Sequence, residues 1–466
     1  MYVRSVFHPI AFLILAGVVY LPAAAQQKAV SQNISLVGHN DLNGKGDGGE
    51  GLAIQVTPDG KRVLYLAHES QTTCVSIVDV TKPENPVMIN QLPVPTPGVT
   101  RCNSLGLSGN VLVIANQTLK MGQAGAAGLW ILDVSDLTRV RQATKLDDLK
   151  LSFFDTSGKF SRGVHCVWFV DGEFVHMATG AADFEPTNNN DDQFYMIVDV
   201  RDPKNPHEAG RWWYPGTRKG DACLPGCLPQ RHPQFDSGYR PHQTEVYPEH
   251  PDRAYVSYIE GGAFIFDISG LAEVKAGRAK TFTPKVLGQV NTSPPFTGFT
   301  HTLQPTFDRG LAWMSDEDTQ DNCKDAPKLV WLMDIRVESN PMVIGTAPLH
   351  ADDGELCKRG GRFGAHNISP NLPGPMYRRL QNTTVACWFN GGVRIFHIVN
   401  GPVGIPNAPP HVDEIGYYTP AALPRNPGGA PQMNHAIVDE NGLIYANDRV
   451  SGGLYILRYT GRVPLD

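Results

Sequence analysis

Five histidines recur at corresponding places along the chain: His165, His242, His301, His366 and His435. Each ends a polar lead-in and opens an alternating, mostly apolar stretch, clearest after His165 with Val167 and Phe169. Glu50 and Asn103 hold the same place in two earlier copies of the pattern. Five aligned imidazoles, out of fifteen histidines in all, are more than strand capping would demand. Imidazoles converging on one point are what a divalent transition metal (Fe, Cu, Mn or Zn) requires, and three or four of them would suffice. The plainer alternative is that each ring caps its own strand and bonds the neighbouring backbone.

Acids collect near the same rim: Glu69, Asp183, Glu260, Asp316, Glu317, Asp318 and Asp448, with His68 beside Glu69. Glu50, Glu69, Glu260 and Asp316 are the candidates for moving protons or for orienting ligating rings. A solvated turn acid is the ordinary role for any one of them. The linkers into the aligned positions carry Arg101, Arg162, Arg240 and Arg362. Four guanidiniums near one mouth suit a carboxylate or phosphate on a small-molecule ligand, or else pair with the rim acids. The Gly-rich stretch 39–51 holds Asp41, Asp47 and Glu50 without the acid spacing of an EF-hand, and is a candidate lid. No nucleophile elbow, P-loop or dinucleotide fingerprint of useful quality is present.

These residues must be positioned by a repeat. The segments VSIVDVTKPENP (75–86), LWILDVSDL (129–137), YMIVDVRDPKNP (195–206), FIFDISG (264–270), VWLMDIRVESNP (330–341), VRIFHIVNGP (393–402) and LYILRYTG (454–461) align on one central position. That position is Asp79, Asp133, Asp199, Asp267, Asp334, His397 and Arg458, at spacings of 54 to 68 residues. Nearly continuous apolar runs imply strands packed on both faces. An earlier hairpin precedes each, and Gly pairs at 261–262, 391–392 and 452–453 permit the turn between them. Seven repeats of about four short strands predict an all-β, seven-bladed β-propeller. The last repeat stops after its third strand, while NISLVG (33–38) is an orphan. The N-terminal strand is therefore expected to pair beside Leu454–Tyr459 and close the ring, leaving no free edge.

The VSIVDV and MIVDV strands resemble the LVIVD-repeat propellers of bacteria over nearly the whole chain after residue 25. That resemblance implies the fold and names no activity. The inner-strand histidines are similar in arrangement to those that hold iron in carotenoid-cleaving propellers, whose motifs are absent here.

Residues 1–25 have a short positive start at Arg4, an apolar run 11–20 and Ala23-Ala24-Ala25 before Gln26, the pattern of a secretory signal. The expectation is an exported protein with one propeller domain over 26–466, no membrane span, and room for a protein partner. Net charge is −6 with no basic run, which argues against nucleic acid. High Gly (47) and Pro (37) belong to a turn-rich β protein. Eight cysteines in an exported chain favour disulfides. Cys74–Cys102, Cys223–Cys227 and Cys323–Cys357 are expected on the mouth face, with Cys166 and Cys387 as buried thiols.

Overall fold

The computed structural model describes residues 28–466 apart from 124, 223–227, 229–230, 233, 350–352 and 401–409. The expected signal at 1–25 and the expected Cys223–Cys227 bridge lie outside the described residues.

The repeat reads directly into sheets. Among the described residues, seven antiparallel sheets follow one another along the chain. Blade 3 shows the plan: Val164–Trp168, Phe174–Thr179, Phe194–Asp199 and His207–Trp212, each hydrogen-bonded to the next. Blades 4 and 5 repeat it from Pro241–Tyr247 and Thr300–Thr306, and blade 1 from Gly48–Val56. Blade 2 has a broken inner strand, Thr100–Arg101 and Leu105–Ser108, both pieces pairing with Val111–Thr118. In blade 6 the inner segment is a short ladder against Thr383–Cys387, with Ser369 N donating to Val385 O and Cys387 N to Asn367 O. The seven inner strands surround a common channel.

The third-strand aspartates earn their repetition by ending those strands. Asp79, Asp133, Asp199, Asp267 and Asp334 each accept the backbone amide two residues on, at 2.9–3.0 Å. This Asx turn satisfies a freed amide just as the chain swings toward the outer strand. At the opposite end of the third strand, Gly392 has φ +88°, and a Cβ there would fall 2.2 Å from the Tyr418 carbonyl oxygen.

The ring closes as expected. Ile34–Asn40 is the outer strand of blade 7 and runs antiparallel to Leu454–Tyr459, from Ile34 opposite Tyr459 to Asn40 opposite Leu454. Val30–Gln32 was not expected as a strand; it adds to the outer edge of blade 6 beside His411–Thr419. Asn33, at φ +56°, turns the chain from one blade to the next. The N-terminal segment thus clasps two blades. Apolar clusters fill the gaps between successive blades, and one joins Leu52, Leu64 and Val78 of blade 1 to Ile437, Tyr445 and Ile456 of blade 7. Burial on both faces explains why the second and third strands are almost uninterruptedly apolar.

Two expected disulfides are present. Cys74–Cys102 links blade 1 to the linker into blade 2, with Cα atoms 4.9 Å apart, and Cys323–Cys357 links a blade 5 loop to the linker before blade 6, at 5.4 Å. Cys166 and Cys387 are buried free thiols. Among the described residues, no helix is long and apolar enough to cross a membrane.

Candidate metal centre

The first residues of the inner strands meet at the channel mouth. Glu50 lies between Gly49 and Gly51, where a Cβ would come within 2.5 Å of the Asn103 carbonyl and 2.3 Å of the Leu105 amide. Only glycine allows this close approach to blade 2, which the Glu50 N–H bond to Asn103 O (2.7 Å) fixes. Glu50 Oε2 then lies 3.7 Å from His242 Nε2 and 3.7 Å from His301 Nε2, while Oε1 is 3.6 Å from His366 Nε2. Glu317 stands opposite, 3.9 Å from His301 Nε2 and 3.6 Å from His366 Nε2. His165 Nε2 is 2.9 Å from His242 Nε2. The side chains of Glu50, Glu317 and these four histidines are almost wholly buried.

Partners of the outer ring nitrogens fix the tautomers. His366 Nδ1 is 2.7 Å from the Asn434 carbonyl oxygen, so it donates. His301 Nδ1 faces Thr302 Oγ1 at 2.9 Å, and that hydroxyl spends its proton on Gln243 Oε1. His165 Nδ1 faces Gln117 Oε1 at 3.0 Å, an oxygen already identified by the Arg101 donors on it. In all three rings the proton sits on Nδ1; the Nε2 lone pairs of His301 and His366 are left free and inward, while that of His165 accepts from His242 Nε2 at 2.9 Å. Glu50 Oε2, His301 Nε2 and His366 Nε2 are buried without a hydrogen-bond partner. Buried polar atoms are normally paired, so three converging orphans need an occupant.

The dimensions suit one ion. Four ligands at the usual 2.0–2.2 Å around zinc would stand about 3.3–3.6 Å apart. The observed separations of 3.6–3.9 Å are those of such a polyhedron slightly expanded. Two groups meet the condition, Glu50 with His242 and His301, and His301 with Glu317 and His366. They share His301 and lie side by side at the mouth. Buried His/Glu groups at this mouth can therefore hold a metal ion.

Electrostatics agree with the geometry. Burial lowers the imidazoles of His165, His242 and His366, and brings His435 down to about 3. Burial alone would raise the carboxyls. Glu50 is nevertheless held well below its ordinary range by His242, His301 and His366, and Glu317 is held at about 2 by His366, His301 and Arg362. Burial thus denies the rings the charge that keeps both carboxylates ionised, and a divalent cation at their centre removes the conflict.

The other expected residues divide. His435 opens its strand in the same way, with Nδ1 buried and unpartnered. Asn103 fills the position in blade 2, with both amide atoms buried and unpartnered. Glu69 lies at the mouth, accepting from Arg101 (3.2 Å) and Arg449 (2.6 Å). Arg362 binds Glu317 at 2.8 Å, and Arg162 grips Asp192 with two donors. Arg240 bonds the neutral Gln193 Oε1 and Ser237 carbonyl, both at 3.2 Å. Burial first, then the neighbouring Arg162, bring its guanidinium down to about 10. Asp316 and Glu260 stand outside the cluster of ligand atoms. Asp316 accepts from Trp331 Nε1 (2.9 Å) and the Leu329 amide, holding the following loop. Glu260 accepts from Ser237 N and Ser293 Oγ, and burial brings it up to about 7. The candidate lid at 39–51 runs from the end of one strand, through a short helical turn at Leu42–Gly44, into the strand that starts at Gly48, and is pinned by Asp47 Oδ1 to His68 Nδ1 at 2.7 Å.

Glu317, Arg449 and Gln117 carry more of the site than their sequence context advertises. Strand pairing puts Asp316, Asp448 and His68 at one equivalent place, so Glu317, Arg449 and Glu69 occupy the next. This place, just beyond the second strand, faces the mouth. Arg362 and Arg449 both lie over the Phe389 ring, at 5.4 and 5.6 Å.

The far end of the channel is closed. Leu372, Pro373 and Tyr377, from the loop between the first two strands of blade 6, pack among Leu52, Leu105, Val167 and Trp168. Tyr377 Oη accepts the Ile54 amide at 2.8 Å. A cavity of about 30 Å³ remains between this plug and Glu50 and His435.

No family model matches this chain, and no curated relative does. Solved structures do. The Cps50 (Swd1) β-propeller domain of Myceliophteria thermophila aligns over 88% of this chain and 96% of its own, at 12% identity and TM-score 0.48. A putative 6-phosphogluconolactonase from Bacteroides uniformis aligns over 78% and 82%, at 12% identity and TM-score 0.44. A streptogramin B lyase aligns over 92% and 97%, at 10% identity and TM-score 0.47. What is defined here is a seven-bladed β-propeller with a buried His/Glu centre at its channel mouth.

Proposed function

We propose that this chain is an exported, LVIVD-repeat-type propeller whose mouth is a metal-dependent active site, an oxidoreductase or lyase acting on a small organic molecule. The observation that carries this reading is the convergence of the His301 and His366 Nε2 lone pairs, each fixed by a bond on the opposite nitrogen and left without a hydrogen-bond partner, upon the Glu50 and Glu317 carboxylates. His242, His301 and His366 would hold the ion with Glu50 and Glu317, and His165 lies against the same centre. A bound Fe, Cu, Mn or Zn supplies Lewis acidity or electron transfer there. The protein's own part is to fix the rings, keep the carboxylates ionised, and admit substrate from one side past the arginines. Two disulfides support export into an oxidising compartment.

The rival reading is a non-catalytic propeller that binds a ligand or protein at the cell envelope. It calls for a broad apolar patch on one face. The exposed large apolar residues described are Val30, Leu36, Val56, Val87, Val286, Val337 and Met342, which are spread over outer strands, one turn and the end of one inner strand in five blades. That scatter favours the enzyme. Titration with Co(II) after chelation tests the reading. Saturation at one equivalent with visible absorption bands is expected, absent in His301→Ala and retained in His176→Ala. Equal uptake by both variants would overturn it.

A further inference from the structure

We infer that the substrate of this site carries a carboxylate, and that Arg240 is the residue that receives it; this rests on the metal-dependent reading above. Three of the four linker arginines are already engaged with acids: Arg101 with Glu69, Arg162 with Asp192 and Arg362 with Glu317. Arg240 is the exception. Among the described residues it has no carboxylate within ion-pair distance, and its partners are a neutral amide and a carbonyl. A partly buried guanidinium with no carboxylate bonded to it is open to receive an anion.

The charge balance of the mouth points the same way. Once Glu50 and Glu317 serve the ion, five guanidiniums, those of Arg101, Arg162, Arg240, Arg362 and Arg449, face only Glu69 and Asp192. The excess lies beside the centre, since Arg101 shares Gln117 Oε1 with His165 Nδ1 and Arg362 binds Glu317. Neutral groups on this side are idle too. Gln117 Nε2 and both amide atoms of Asn103 are buried without a hydrogen-bond partner. A planar carboxylate matches one open guanidinium flanked by amide donors, and seating it there would leave the rest of a small molecule over the imidazoles.

Ligand-observed NMR titration of propionate against purified full-length protein, with Zn(II) and metal-free, decides the matter. Propionamide and inorganic phosphate serve as comparison probes. Propionate should bind, propionamide should not, and Arg240→Gln should weaken propionate by about 10–100-fold. Arg240→Lys should fall between, and both variants should keep wild-type melting temperature and Zn(II) content. Equal propionate affinity in wild type and Arg240→Gln, or equal binding of propionamide, would overturn the assignment. Phosphate binding without propionate binding would overturn the carboxylate. If wild type takes up no metal, the metal reading fails by itself, and the metal-free titration still judges Arg240.

Discussion

Ring orientation at the centre is set one residue away from the ligands. Thr302 accepts from His301 Nδ1 and thereby delivers the Nε2 lone pair inward. Thr302→Val removes that acceptor while keeping the shape, so metal affinity should drop about 10–100-fold with little change in fold, measured by competition with a chromophoric chelator. Unchanged affinity would show that the tautomer is fixed by something else. Glu245 gives a prediction about pH. Burial raises its carboxyl from an ordinary 4.5 to about 8, and one oxygen is unpartnered. Between those values the folded state keeps a proton that the unfolded chain has released, so stability falls as pH rises through the window. Glu245→Gln should therefore gain about 1–3 kcal/mol over wild type at pH 8 in urea melts and almost nothing near pH 4.5. Parallel pH curves would contradict the buried neutral acid. The aligned histidines and Glu50 were legible because the repeat places them in register. Glu317 was harder to choose, since Asp316, Glu317 and Asp318 are consecutive acids and a one-residue difference decides which faces the mouth. Nothing in residue type marked Arg449 or Gln117.

The elements that hold the site are short and repeat the same solution. In five blades the aspartate closing the third strand makes an Asx turn, so Asp133→Ala should cost about 1 kcal/mol, the worth of one hydrogen bond, without touching the mouth. A loss of metal from that variant would mean that blade geometry and centre are more tightly coupled than these contacts indicate. Apolar runs and turn signals marked the second and third strands, because burial on both faces leaves a continuous signature. Elements without that signature were not legible. Val30–Gln32 is three exposed residues whose place is set by the edge of blade 6. The channel plug is irregular chain held by Leu372 and Tyr377 reaching into strands far away in sequence. Such contacts leave no periodicity to read.

Around the whole ring, closure depends on the chain's two ends meeting. Removing residues 28–40 should leave Leu454–Tyr459 as a bare edge beside a half-open apolar gap, lowering the melting temperature and promoting aggregation in light scattering. A monomeric variant with unchanged melting would contradict closure as a source of stability. Cys74–Cys102 spans 28 residues, so replacing both by Ala should cost about 3–4 kcal/mol from restored freedom of the unfolded chain. The seven-bladed plan was legible in outline because repeats are self-similar; the centre was legible only as a ring of candidates, since which side chains converge depends on distances no repeat encodes. The most direct measurement is elemental analysis of the protein purified without an affinity tag, alongside His301→Ala and His366→Ala. One equivalent of Fe, Cu, Mn or Zn per chain is expected, falling below one tenth in both variants. A wild-type protein that holds none of the four, and gains none on incubation with each, would contradict the metal centre.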